Sequence, residues 1–203
     1  VTKKIERPIL FSAPMVRAIL EGRKSQTRRV AHESYRNIFE ASSLANGYVA
    51  LNVFAGEIHS PYGNPGDRLW VRETFYIDRG YCIIRPLPRE RPAGIDDCIY
   101  YRADGECCEQ IPECCCGELG PTPWRPSIHM PRWASRITLE VVGVRVERLR
   151  EITEQDAISE GMLTLGPSSR ERFEKFWDSI NAKRGLEWGA NPWVWVIEFK
   201  KIS

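Results

Sequence analysis

The spacing of apolar and polar positions divides the chain into a few well-marked elements. Residues 8–22 predict a first helix. Met15, Val16, Ile19 and Leu20 form its apolar stripe, Ser12 stands where an N-cap belongs, Pro14 suits the first turn, and Gly22 can end it. Alternation from Arg68 to Phe75 predicts a strand after the turn cluster Tyr62-Gly63-Asn64-Pro65-Gly66-Asp67. A short strand is expected near Ile99–Arg102. The strongest strand pattern covers 136–147, where Ile137, Leu139 and Val141 share a face before the phase shifts to Val144 and Val146; the shift predicts a bulge at Val142-Gly143. Thr153 opens a short helix that stops at Gly161. Ser168 and Glu171 form a capping box for a longer helix, with Phe173, Phe176, Trp177 and Ile180 at i, i+3, i+4, i+7 spacing. Residues Trp193–Phe199 predict a final strand. This order of elements predicts an α+β fold, a small β-barrel with flanking helices.

Composition narrows the class. The chain has 203 residues, 42% hydrophobic and 28% charged, enough for one domain with a sizeable core. Residues 1–203 are therefore read as a single domain. Residues 78–123, rich in Pro, Gly, Cys and acids, are read as an insertion within it. No run of about 18 apolar residues exists, which excludes a membrane-spanning helix. The N-terminal stretch carries charges but no apolar signal segment, and Val1 leads us to expect a Met before it. The net charge of +2 says little, but its distribution says more. Residues 1–30 hold eight Lys/Arg against two Glu, and residues 125–150 hold six Arg against two Glu. Two basic segments that met in the fold would suit phosphate, whereas scattered ones would be solvated faces.

From Gly22 to Arg29 (Gly-Arg-Lys-Ser-Gln-Thr-Arg-Arg) the sequence resembles the ASCH domain family of the PUA-like superfamily. Three further stretches fit in family order: Pro65–Val71, Thr153–Gly161 and Val194–Phe199. The stretches Trp124–Arg136 and Ala190–Trp193 look like the phage and prophage branch. The resemblance implies a PUA-like pseudobarrel with a cleft facing RNA, DNA or a modified nucleoside. One branch of the superfamily is the small bacterial amidohydrolase that removes the acetyl group from N4-acetylcytidine through a Lys, a Thr three residues later and a Glu from the acidic helix. Those roles fall on Lys24, Thr27 and Glu160, and Arg29 falls on the Arg that ends the motif. This chain departs from that enzyme in its greater length and its 78–123 insertion. The resemblance also admits a non-catalytic reader of RNA or modified DNA, or a ribonuclease.

The residue types set chemical demands. Thr27 can be a nucleophile only if a base removes its proton, and Lys24 can be that base only when neutral. Desolvation and the neighbouring Arg28 and Arg29 lower a lysine pKa; a carboxylate such as Glu160 raises it. Residues 24 and 27 fall on opposite faces of a regular strand, so they converge only if the chain turns or bulges between them. The plainer reading is that Lys24, Arg28 and Arg29 hold phosphates while Thr27 satisfies a strand end. Glu160 at a helix C-terminus opposes the helix dipole, which points to a job other than helix stability. Glu73 falls on the apolar face of its strand and needs an arginine partner or a cleft. The candidate substrate contacts are Arg29, Trp70, Arg72, Glu73, Ser127, His129 and Trp133, with Trp residues able to stack a base.

Seven cysteines, five of them within 107–116, do not resemble a spread disulfide framework, and they predict a reducing, cytoplasmic setting, that of a bacterial host if the chain is phage-encoded. Cys98, Cys107, Cys108, Cys114, Cys115 and Cys116 are candidate ligands for a structural Zn²⁺. Their spacing is irregular, so free thiols or a disulfide remain open readings. The absence of His from the cluster argues against catalytic zinc.

Overall fold

The computed structural model describes residues 4–35, 39, 60–78, 98–104, 124–162, 166 and 168–203. Seven strands and three α-helices are placed among these residues. The strands are β1 (Glu6–Leu10), β2 (Gln26–Val30), β3 (Arg68–Arg72), β4 (Phe75–Asp78), β5 (Cys98–Tyr101), β6 (Thr138–Arg148) and β7 (Trp193–Lys201). The helices are α1 (Ala13–Leu20), α2 (Glu154–Ser159) and α3 (Ser169–Asn181). Most of the predicted elements are present. Three strands differ from the expectation: β1 was absorbed by the first-helix pattern, because its burial alternates but its hydropathy does not, with Leu10 apolar yet exposed; β2 carries little apolar signal; and the strand expected over 68–75 splits into β3 and β4.

Five strands form one mixed sheet in the order β1-β3-β6-β7-β2. β1 runs parallel to β3, and the remaining pairs are antiparallel. The expected barrel is not formed. β1 and β2 stand at opposite edges of the sheet, and no ladder joins them. Side chains meet across the gap instead. Arg29 donates to the Leu10 carbonyl, and the Lys24 ammonium and Arg29 guanidinium lie 5.7 and 5.1 Å from the Phe11 ring centre. The sequence marks strands but does not register whether two edges come within ladder distance.

The bulge in β6 lies where the phase shift placed it, with the register against β7 slipping between Val141 and Gly143. The slip keeps Leu139, Val141 and Val146 on one core, while β7 alternates between two, with Trp193, Trp195, Ile197 and Phe199 on one side and Val194 and Val196 on the other. On one side Leu139, Val141 and Val146 pack with Val16, Ile19, Leu69, Val71 and Trp195. On the other, Phe173 and Trp177 of α3 pack with Leu149, Ile152, Val194 and Val196. Ile180, assigned to the α3 stripe by spacing, is 52% exposed. A third cluster, Phe75, Ile77, Met130 and Ala134, joins the two-stranded β4-β5 sheet to the loop before β6.

Two caps fix the acidic helix and its neighbour. The Thr153 hydroxyl accepts from the Asp156 N–H at 3.0 Å, and the Asp156 carboxylate accepts from the Thr153 N–H at 3.2 Å. The Ser168 hydroxyl accepts from the Glu171 N–H at 3.1 Å, as the capping box predicts. Among the described residues no helix is long and apolar enough to cross a membrane. Cys98 sits in β5 opposite Asp78. Cys107, Cys108, Cys114, Cys115 and Cys116 lie outside the described residues, and so does most of the 78–123 insertion.

Candidate functional site

The gap between the two sheet edges is a cavity of about 550 Å³. Its wall includes Leu10 and Phe11 from the end of β1, Thr27 to Val30 of β2, and Lys24 just before β2. Glu160 joins from the end of α2, Tyr62 from the Gly-rich turn, Ser127 from the loop before β6, and Phe176, Trp177 and Ile180 from α3. Lys24, Thr27, Glu160 and Arg29, remote in sequence, therefore face one hollow.

Local geometry explains the convergence. After α1 the chain reverses through Gly22, whose φ of +74° is open to glycine at little cost. Lys24 then forms an isolated antiparallel bridge to Glu160, supported by the Ser25 N–H donating to the Ser159 carbonyl at 2.9 Å. Regular β2 begins only at Gln26, so Lys24 escapes the strict alternation that would set it opposite Thr27. Gly161 makes this approach possible. It has φ +92°, and a Cβ there would lie 3.0 Å from Ala18 Cβ and 3.2 Å from Lys24 Cβ.

Lys24 is fully enclosed by oxygen acceptors. Its Nζ donates to the Gln26 carbonyl at 2.6 Å, to the Glu160 carbonyl at 2.8 Å and to Glu160 Oε2 at 2.7 Å. Three acceptors and no donor around one nitrogen define an ammonium. Burial nevertheless pulls its pKa below the ordinary 10.5; Glu160 opposes the shift, while Arg29 and Arg28 reinforce it. Glu160 is 3% exposed and spans two cations, giving Oε2 to Lys24 and Oε1 to Arg28 Nη1 at 3.1 Å. Arg28 is itself anchored from behind. Its Nε donates to Glu147 at 2.9 Å, and Asp156 lies 3.4 Å away. Gln26 Nε2 also donates to Asp156 at 3.2 Å. Burial pushes the Asp156 carboxyl up, but hydrogen bonds from Thr153 and Gln26 and the Arg28 charge outweigh it and hold the group low. The dipole argument about Glu160 thus has a physical counterpart: the C-cap acid is tied into a buried ion network.

The other candidate residues lie elsewhere. Of the Trp124–Arg136 loop, Ser127 reaches the cavity wall, while His129 is exposed and Trp133 packs on the third cluster. Trp70 is covered by the Arg72 guanidinium, 4.7 Å from its ring centre, with Arg132 at 5.9 Å. Glu73 is 1% exposed and is held by Arg136, whose Nε and Nη2 donate at 3.0 and 3.1 Å. Burial pushes the Glu73 carboxyl up and Arg136 draws it back only in part. Trp70, Arg72, Glu73, His129 and Trp133 are not among the cavity-lining residues.

Sequence reading had missed Phe11, Tyr62, Phe176 and Ile180 as cavity residues. Phe176 and Ile180 carried a signal, since both stand in the predicted α3 stripe beside the buried Phe173. Tyr62 sat in a turn cluster whose partners sequence does not name. Among the described residues no group of three or more His, Cys, Asp or Glu is arranged to hold a metal; the cysteine cluster lies outside those residues.

No protein-family model matches the chain, and no curated protein does. Among solved structures the chain is similar to an ASCH domain from Lactobacillus crispatus JV V101, determined as a high-resolution crystal structure, with a TM-score of 0.38 and 14% identity over 98% of this chain and 79% of that one.

Proposed function

We propose that this protein is a nucleoside-directed amidohydrolase that cleaves the acyl amide of an N4-acylated cytosine through Lys24, Thr27 and Glu160. The observation that carries the reading is the meeting of these three side chains on one cavity wall, in a hollow of about 550 Å³ with aromatic and aliphatic faces beside the charges. Lys24, after losing one of its three protons to solvent, takes the Thr27 proton as Oγ1 attacks the acyl carbon. The C–N bond breaks, the proton passes from Lys24 to the departing N4, and water then hydrolyses the Thr27 ester to release the acid. Burial lowers the cost of that first deprotonation, and the three acceptor oxygens hold the ammonium when the proton returns. Glu160 holds the amine in position, and Arg28 holds Glu160.

The resting ammonium supports a second reading, a non-catalytic reader of RNA, DNA or a modified nucleoside, because all three of its protons are already spent on the protein. One experiment separates the two. Purified protein is incubated with N4-acetylcytidine and with RNA, and products are resolved by chromatography. The amidohydrolase releases cytidine, and Lys24→Ala or Thr27→Ala reduces the rate by about 10²- to 10⁴-fold. Ligand binding by the wild-type protein with no turnover, weakening steeply with salt, identifies a reader. Shortened RNA identifies a ribonuclease.

A further inference from the structure

The cavity wall carries four cations, Lys24, Arg28, Arg29 and Arg184, against one acid, Glu160. Two of the four are accounted for. Lys24 pairs with Glu160, and Arg28 with Glu160, Glu147 and Asp156. Arg29 is different. Its Nη2 donates to a neutral partner, the Leu10 carbonyl, its Nε is buried without a hydrogen bond, and no carboxylate pairs with it among the described residues. Burial draws its pKa down, with only the more distant Tyr62 and Glu160 opposing. A guanidinium does not escape that cost by losing its proton, so the cost stands until an anion meets it. Arg184, exposed where α3 gives way to the following turn, makes one long contact of 3.5 Å to Asn181 and likewise has no acid beside it among the described residues.

From these two guanidinium groups without an acid partner, both lining the one cavity, we infer that the ligand carries its own anion: a phosphomonoester, as in a nucleoside 5′-monophosphate, with the phosphate on Arg29, and Arg184 adding to the attraction. Guanidinium forks match phosphate oxygens in geometry and charge. The apolar side of the cavity, with Phe11, Phe176 and Trp177, is left for the base. The choice of a nucleotide as the phosphate carrier rests on the nucleobase reading above; the anion site does not.

Isothermal titration of the full chain with cytidine 5′-monophosphate, cytidine and inorganic phosphate tests this. At low salt the monophosphate binds at least about tenfold more tightly than cytidine, and the advantage shrinks as salt rises. Inorganic phosphate competes weakly. Arg29→Gln reduces the advantage to about twofold or less. Should Arg29→Gln fail to fold, Arg184→Gln, on an exposed side chain, narrows the advantage if the inference holds. Equal binding of monophosphate and cytidine, no binding of either, inorganic phosphate binding as tightly as the monophosphate, or an advantage untouched by these variants overturns it. Hydrolysis of N4-acetylcytidine with no preference for its 5′-phosphate overturns the inference and leaves the amidohydrolase standing. Tight monophosphate binding without hydrolysis does the reverse.

Discussion

Two buried acids, Glu160 and Glu73, look alike from their burial and differ in everything around them. Glu73, at the end of β3, meets one arginine in a two-pronged pair, and Arg136 turns its outer edge to Asp104 at 2.7 and 2.8 Å and its face to the Tyr101 ring. That arrangement is closed: each charge has a partner, and none of these groups lines the cavity. Glu160 meets two cations, its backbone carbonyl also accepts from Lys24, and the cluster borders a hollow. A buried charge is by itself weak evidence of function, because ion pairs also hold structure together. The useful distinction is whether the pair faces protein or space.

Exchanging the two acids for their amides breaks or sharpens this distinction. Glu160→Gln leaves Lys24 and Arg28 short of a buried countercharge. Cytidine release then falls by about 10²-fold or more, and the protein loses about 3–5 kcal/mol in denaturant unfolding. Glu73→Gln leaves Arg136 with Asp104 and costs less, about 1–3 kcal/mol, with the release rate within about twofold of wild type. Equal loss of activity in both variants would erase the contrast.

Gly161→Ala comes next in size. The substitution forces a Cβ against Ala18 and Lys24 at a φ of +92°, which costs about 1–3 kcal/mol and lowers the melting temperature. It also displaces Lys24, so activity falls with stability. The same substitution at Gly22, where nothing lies within 4 Å of the added Cβ, strains only the backbone.

The pH response follows from Lys24. Its folded pKa lies below the ordinary 10.5, so between the two values the unfolded chain binds the proton more tightly. Stability contributed by this group is therefore lowest below the folded pKa and recovers as pH rises toward 10.5. Lys24→Met flattens that part of the stability curve. The rate of cytidine release rises about tenfold per pH unit on the acid side of the Lys24 pKa and then levels. A rate that falls as pH rises through this range contradicts Lys24 as the base. The smallest expected effect concerns the cysteines. We propose that they hold a structural zinc, and elemental analysis of purified protein then finds at least about half an equivalent.

Local chemistry was legible in the sequence wherever it was written in neighbouring residues. The Thr153 and Ser168 caps, the β6 bulge and the demand for an irregular backbone between Lys24 and Thr27 all rest on residues within a few positions of one another. The demand on Glu73 for an arginine partner was legible too, although not that Arg136 would supply it. What sequence did not carry was distance between remote segments. β1 was hidden because its hydropathy does not follow its alternating burial: Leu10 is apolar but exposed, and Arg7 is polar on the inward face. The barrel was expected because each strand was present, yet closure depends on how near two edges come. Arg28 was read as a modifier of Lys24; its anchors, Glu147 and Asp156, lie more than a hundred residues away. The cavity itself exists because the sheet stops short of closing.

A crystal structure of Thr27→Ala protein with N4-acetylcytidine bound decides whether the hollow holds the substrate. The account predicts the acyl carbon in the cavity beside Lys24 and the vacated Thr27 position, with the pyrimidine against the apolar wall. Density for the ligand elsewhere on the protein, or a cavity that stays free of it at saturating concentration, contradicts the account.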